Sequence, residues 1–98
     1  MLRNYRDLKV WDKSYHLCLD FYRLSKKFPL DERYGLSLQM RRSVVSIPSN
    51  IAEGYGRKSK KEYIHFLYEA YGSYCEFETQ LLLASDLNYI KTEQFEKI

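Results

Sequence analysis

Gln39-Met40-Arg41-Arg42-Ser43-Val44-Val45-Ser46-Ile47-Pro48-Ser49-Asn50-Ile51-Ala52-Glu53-Gly54 is the stretch that decides the architecture. Leu36, Met40, Val44, Ile47 and Ile51 recur at steps of three and four, the spacing of one helix face. Pro48 interrupts that pattern, because its ring removes a backbone N–H and normally kinks or stops a helix. Ile47 and Ile51 keep the period across it. The reading is therefore a kinked helix from near Asp31 to about Gly54. Asp31 or Glu32 suits its positive end, and Gly54 and Gly56 can close it in the left-handed conformation.

Upstream, Leu8, Trp11, Tyr15, Cys18 and Tyr22 form one helical stripe, with Val10, Leu17, Phe21, Leu24 and Phe28 beside it. This predicts a first helix from Leu8 to Lys27, ended by Pro29. Two adjacent stripes make a wide apolar face that must touch more than one neighbour. Downstream, Ser59-Lys60-Lys61-Glu62 is a capping box that opens a third helix. Ile64, Leu67, Tyr71, Tyr74, Leu81 and Ser85 follow at helical steps, with Phe66, Ala70, Phe77 and Ala84 alongside, to about Asn88. The small residues Ala70, Gly72 and Ser73 suggest close approach of another helix. A short fourth helix opens at Thr92, with Phe95 and Ile98 as its first apolar step. Short links between these elements favour an all-α, antiparallel up-and-down four-helix bundle with a short fourth helix, filling residues 1–98 as a single domain. No period-two alternation or internal repeat is present.

Composition narrows the function classes. The chain is 45% hydrophobic and 30% charged, with four Gly and two Pro, which suits a few long helices. The amino-terminal residues lack the apolar core of a signal peptide, and no apolar run nears a membrane span; a cytoplasmic protein without membrane contact is expected. Cys18 and Cys75 sit in apolar helical patterns and read as free thiols. Residues 1–61 hold 14 Lys/Arg against 6 Asp/Glu, a net +8, and residues 62–98 hold 2 against 7, a net −5. Such asymmetry fits either a basic surface that meets phosphates or basic and acidic helices that pair with each other.

Within the central stretch, Arg42, Ser46, Asn50 and Glu53 bring polar groups onto an otherwise apolar helix. An ionic group facing a core needs a partner, and Glu76 and Glu78 on the third helix are the natural ones. This gives a candidate structural network of Arg42, Ser46, Asn50, Glu53, Glu76 and Glu78, with nucleic-acid contact by Arg41 or Arg42 as the rival. The same stretch resembles proteins encoded in intervening sequences of bacterial 23S ribosomal RNA genes. Trp11, Phe28-Pro29, Glu32-Arg33-Tyr34-Gly35-Leu36, the run from Gln39 to Gly54, Phe66-Leu67-Tyr68-Glu69-Ala70-Tyr71-Gly72-Ser73, Glu76 and Glu78-Thr79-Gln80-Leu81 carry the likeness. It implies a four-helix bundle assembled into a homo-oligomeric ring, a pentamer. It also implies a fold similar to the accessory variability determinant of diversity-generating retroelements, which works with a polymerase and nucleic acid. Relatives carry a longer fourth helix than one that stops at Ile98.

The turn Gly54-Tyr55-Gly56-Arg57-Lys58-Ser59-Lys60-Lys61 packs four cations beside a tyrosine and a helix start, which suits phosphate binding and base stacking. Its bland alternative is a solvated loop. Gly56-Arg57-Lys58-Ser59 is not a P-loop, since Arg57 precedes the lysine, Ala52 stands where a glycine belongs and a helix comes before it. His16 and His65 are isolated, so no metal set, cofactor or catalytic constellation is predicted. Tyr15, Tyr22, Tyr71 and Tyr74 lie on stripes that point to the core or to a subunit interface. Two functions remain. One is a non-enzymatic accessory protein that binds RNA or DNA through Arg41, Arg42, Arg57, Lys58, Lys60 and Lys61. The other is a structural interaction module in which basic and acidic faces of neighbouring copies pair.

Overall fold

A computed structural model of the chain describes residues 4–91, and three long helices make up most of it: α1 (Lys9–Ser25), α2 (Leu36–Tyr55) and α3 (Lys60–Asp86). Single 3-10 turns at Tyr5–Asp7 and Leu30–Glu32 precede α1 and α2. No strand occurs among the described residues. The anticipated four-helix bundle is thus corrected to an all-α fold with three long helices among the described residues, and the short helix expected from Thr92 lies outside them. The chain leaves α3 by a tight turn. Asn88 turns the chain at φ 63°, and the Tyr89 N–H returns to the Ala84 carbonyl at 2.9 Å. Ile90 then enters the core at 5% exposure, so this segment closes one end of the helix layer.

α2 is the shared element, packed against both α1 and α3. Its pairs run in opposite order on each neighbour. Arg41 meets Tyr22 and Val44 meets Cys18 on α1, while Ser43 meets Gln80 and Ser46 meets Ser73 on α3. Both pairings are antiparallel. Phe21 stands at the centre, fully buried, with edge-on rings of Phe28 at 5.9 Å and Phe77 at 5.2 Å, so α1 and α3 meet directly over the core. Edge-to-face packing of this kind aligns a positive ring edge with a negative ring face.

Local chemistry explains each boundary. α1 stops at Ser25, and the N–H groups of Lys26, Lys27 and Phe28 close on the Arg23, Leu24 and Ser25 carbonyls in tight turns before Pro29. The start of α2 is later than the sequence predicts, because Leu30–Glu32 forms its own 3-10 turn. Glu32 still serves α2: its Oε1 accepts the Leu36 N–H at 3.0 Å and its Oε2 accepts the Tyr89 hydroxyl at 2.7 Å. These two donors, the Leu36 N–H first, hold the Glu32 carboxyl below its ordinary range. α3 begins as expected, with Ser59 Oγ accepting the Glu62 N–H at 3.1 Å. Gly54 and Gly56 do not turn left-handed; Gly54 is helical and Gly56 has φ −77°.

α2 continues unbroken through Pro48, which is itself buried. Proline has no N–H to give the carbonyl four residues back, and that carbonyl is Val44. The Cys18 thiol of α1 supplies the missing donor, with Sγ 3.1 Å from the Val44 oxygen. Burial pushes the Cys18 thiol up from the ordinary 9.0 to about 11, so the S–H that donates stays in place at neutral pH. Both cysteines are free.

Cys18→Ala leaves a buried carbonyl without a donor, and an expected cost of about 1–3 kcal/mol follows, read by urea unfolding. Pro48→Ala in the same background restores a backbone donor and should recover part of that loss. The raised thiol has a definite sign as well: its contribution is full below the ordinary 9.0 and falls as pH climbs from there through about 11. The stability difference between the wild type and Cys18→Ser should therefore change over that alkaline range and not below it.

Candidate nucleic-acid interface

The six candidate cations fall into two groups. Arg41 and Arg42 lie in the first half of α2, and Arg57, Lys58, Lys60 and Lys61 lie at the turn into α3. Sixteen residues separate Arg41 from Arg57, about 24 Å along a helix axis. The structure does not merge them into one patch.

At the turn, helix packing sets the geometry. Gly54 is buried where α2 passes the first turns of α3, and a Cβ added there would meet the Phe66 Cβ at 2.6 Å and Tyr63 at 3.2 Å. The close approach that the sequence suggests at Gly72 is absent, since nothing stands within 4 Å of a Cβ built on that residue. The edge-on rings of Tyr55 and Tyr63, 5.9 Å apart, brace the turn. Arg57 is anchored twice: Nη2 donates to Glu53 Oε2 at 2.9 Å, and its guanidinium lies 4.9 Å from the Phe66 ring centroid. Lys58, Lys60 and Lys61 are exposed, and no ion pair involves them among the described residues. The turn therefore presents three unneutralised ammonium groups on a rigid base, at the amino end of the longest helix.

Arg41 and Arg42 diverge. Arg42 points outward and is exposed, whereas Arg41 turns toward α1 and lies 5.6 Å over the Tyr22 ring. Arg42 makes no ion pair with Glu76 or Glu78, and both carboxylates are exposed. Glu78 instead accepts the Tyr74 hydroxyl at 3.3 Å, and Glu53 is taken by Arg57. What joins the polar face of α2 to α3 is a set of neutral groups. Ser46 Oγ lies 2.8 Å from Ser73 Oγ, Asn50 Nδ2 donates to both the oxygen and the hydroxyl of Ser46, and Ser43 donates to Gln80 Oε1 at 2.7 Å. Of the six network residues, then, the structure brings Ser46 and Asn50 together and leaves Arg42, Glu53, Glu76 and Glu78 on the surface. The physical reason is that Arg42 and Glu53 sit on the side of α2 facing away from both neighbours.

His16 and His65 are exposed beside Asp12 and Glu69, each on its own helix. No group of three or more His, Cys, Asp or Glu converges among the described residues. No helix there is long and apolar enough to cross a membrane. Tyr15, Tyr22, Tyr71 and Tyr74, expected on core stripes, are each more than 40% exposed. They lie at the flanks of faces wider than two neighbours cover. Tyr71 and Tyr74 line an apolar cleft of about 330 Å³ between α1 and α3, floored by Ile47 and Ile51 and walled by Val10 and Leu17.

Gly54→Ala should destabilise the protein by about 1–3 kcal/mol, because the added methyl meets a ring-bearing helix rather than a flexible chain end. Thermal unfolding checks this, with Gly72→Ala as the contrast: there the methyl points into open space and helix propensity alone predicts a gain of up to about 1 kcal/mol.

No curated protein matches the chain. The family model described as "23S rRNA-intervening sequence protein" matches residues 6–98, nearly the whole chain. The chain, whose described residues place α1 and α3 antiparallel to the Pro48-bearing α2, belongs to the 23S rRNA-intervening sequence protein family.

Proposed function

We propose that this protein is a non-enzymatic accessory factor that binds RNA or DNA by charge and works as a homo-oligomer. The observation that carries the reading is the α2–α3 turn, where Lys58, Lys60 and Lys61 are exposed without a carboxylate partner among the described residues. Ammonium groups so placed displace counterions from a phosphate backbone, which yields affinity with little base reading. Tyr55 beside them offers a face for an unpaired base. Arg42 adds a second contact along α2. A ring of copies, a pentamer by family likeness, would repeat the turn and strengthen a weak contact by multivalency. Under this reading the protein works in the cytoplasm, and a polymerase acting on the same nucleic acid is a fitting protein partner.

A second reading, a purely structural interaction module, is favoured by one observation. The cleft between α1 and α3 leaves Val10, Tyr71 and Tyr74 open to water, and Ile64 and Leu82 of α3 are exposed as well. An apolar surface of this kind marks a protein contact more often than a ligand site. A second copy would cover it, with the basic turn of one copy facing Glu69, Glu76 or Glu78 of another.

Fluorescence anisotropy with a short structured RNA, over a salt series, separates the two. The triple variant Lys58→Ala, Lys60→Ala, Lys61→Ala should bind more weakly, and the slope of log K against log salt should fall by about 2–3, near 0.9 for each phosphate that is no longer neutralised. No binding by the wild type at low salt, or an unchanged slope in the variant, would sink the nucleic-acid reading. Light scattering on the same samples should give a multiple of the 11.9 kDa chain mass; a single-chain mass would remove the oligomer from both readings.

A further inference from the structure

We infer that the pocket where the end of α1 meets the first turns of α2 binds a phosphate group. The pocket measures about 240 Å³ and is lined by Ser25, Lys26, Phe28, Pro29, Leu30, Arg33, Ser37 and Arg41. Lys26, Arg33 and Arg41 bring three positive charges to it, and no carboxylate lines it. Of the two acids on the adjoining turn, Asp31 is exposed and Glu32 is committed to the Leu36 N–H and the Tyr89 hydroxyl.

Two buried polar atoms in this pocket have no partner. Ser37 is 2% exposed, and its hydroxyl makes no hydrogen bond. Arg41 Nε is likewise closed off from water and unpaired, although its guanidinium rests on the Tyr22 ring. Burying a hydroxyl without a partner is costly, and burying part of a cation without a counter-charge is more so. Ser25, the other buried serine of the lining, shows the contrast, since it donates to the Tyr22 carbonyl at 2.9 Å. Ser37, the second residue of α2, has no helical carbonyl three or four residues behind it to accept its hydroxyl. A tetrahedral oxyanion satisfies both donors. To accept from the Ser37 hydroxyl and from Arg41 Nε, both closed to water here, it needs a shift of the Arg41 side chain, while Lys26 and Arg33 at the exposed rim neutralise its second charge. Ser37 also sits in the first turn of α2, where the helix dipole favours an anion.

This inference deepens the nucleic-acid reading by giving Arg41 a phosphate to hold, yet it stands on residues remote from the α2–α3 turn. The phosphate can be the terminal monoester of a nucleic acid or free inorganic phosphate. Isothermal titration calorimetry with inorganic phosphate, and with one RNA oligonucleotide carrying either a 5′-phosphate or a 5′-hydroxyl, distinguishes the sources. Wild-type protein should bind inorganic phosphate, and Ser37→Ala and Arg41→Met should each weaken binding about tenfold or more. Arg33→Gln, at an exposed rim position, should weaken it less and keeps the test valid if Arg41→Met fails to fold. Ser37→Ala carries a second readout: removal of an unpartnered buried hydroxyl should leave the melting temperature unchanged or raised, which a structural hydroxyl would not do. Preference for the 5′-phosphorylated RNA assigns the pocket to nucleic-acid ends, and equal binding of the two RNAs assigns it to free phosphate. No phosphate binding by the wild type, or equal binding by all three variants, overturns the proposal. Because the lysine triple variant tests the turn separately, either idea can fail while the other stands.

Discussion

Pro48 sits inside the one helix that both neighbours pack against, and the carbonyl it frees has to be satisfied in the interior. An exposed proline could leave that carbonyl to water. Here the Val44 oxygen faces α1, and the Cys18 thiol reaches it at 3.1 Å. The consequence is a register: Cys18 opposite Val44 sets Tyr22 opposite Arg41 and brings Phe21 under Phe28 and Phe77. A chemical deficit within one helix thereby fixes how another helix lies upon it. Because the donor is a thiol whose burial holds it protonated, the joint needs no charge and tolerates an apolar surround.

On its other side α2 meets α3 through small residues and neutral hydrogen bonds. Serines at Ser43 and Ser46 reach Gln80 and Ser73, and Gly54 lets α3 begin almost in contact with the end of α2. Buried neutral pairs avoid the desolvation that an arginine–carboxylate pair would incur at the same place. The arginines of α2 are thereby left for other roles, one on the surface and one over a tyrosine at the mouth of a pocket. The packing solution and the distribution of positive charge are the same design viewed from inside and outside.

Among the described residues, three helices leave the broad faces of α1 and α3 incompletely covered. The exposed tyrosines and the cleft above Ile47 and Ile51 are the direct result, since each outer helix buries part of its wide apolar face and leaves the rest open. Tyrosine suits such a boundary, with a ring that packs and a hydroxyl that tolerates water. In the function proposed above, a surface of this kind would serve assembly, and the cationic turn beside the start of α3 would meet a polyanion.

Much of this was legible from residue spacing alone. The periodicity around Met40, Val44, Ile47 and Ile51 marks α2 through its proline, and Ser59 to Glu62 marks the start of α3, because both signals depend on neighbours within one turn. The clustering of Arg57, Lys58, Lys60 and Lys61 is also local and needs no fold to be seen. What spacing could not decide is which of two adjacent stripes each helix buries, because that depends on the partner: Phe77 and Ala84 went inward and Tyr71 outward. Nor could it show that Cys18 answers Pro48, that Arg42 lacks a carboxylate, or that Ser37 and Arg41 share a pocket. Each is a relation between residues of different helices, or of different turns, and only the tertiary structure sets the distances on which hydrogen bonds and charge pairs depend. Sequence by itself determined three long helices and where the positive charge lies along the chain; the packing of α1 and α3 on α2 decided which polar groups are satisfied within the chain and which are not.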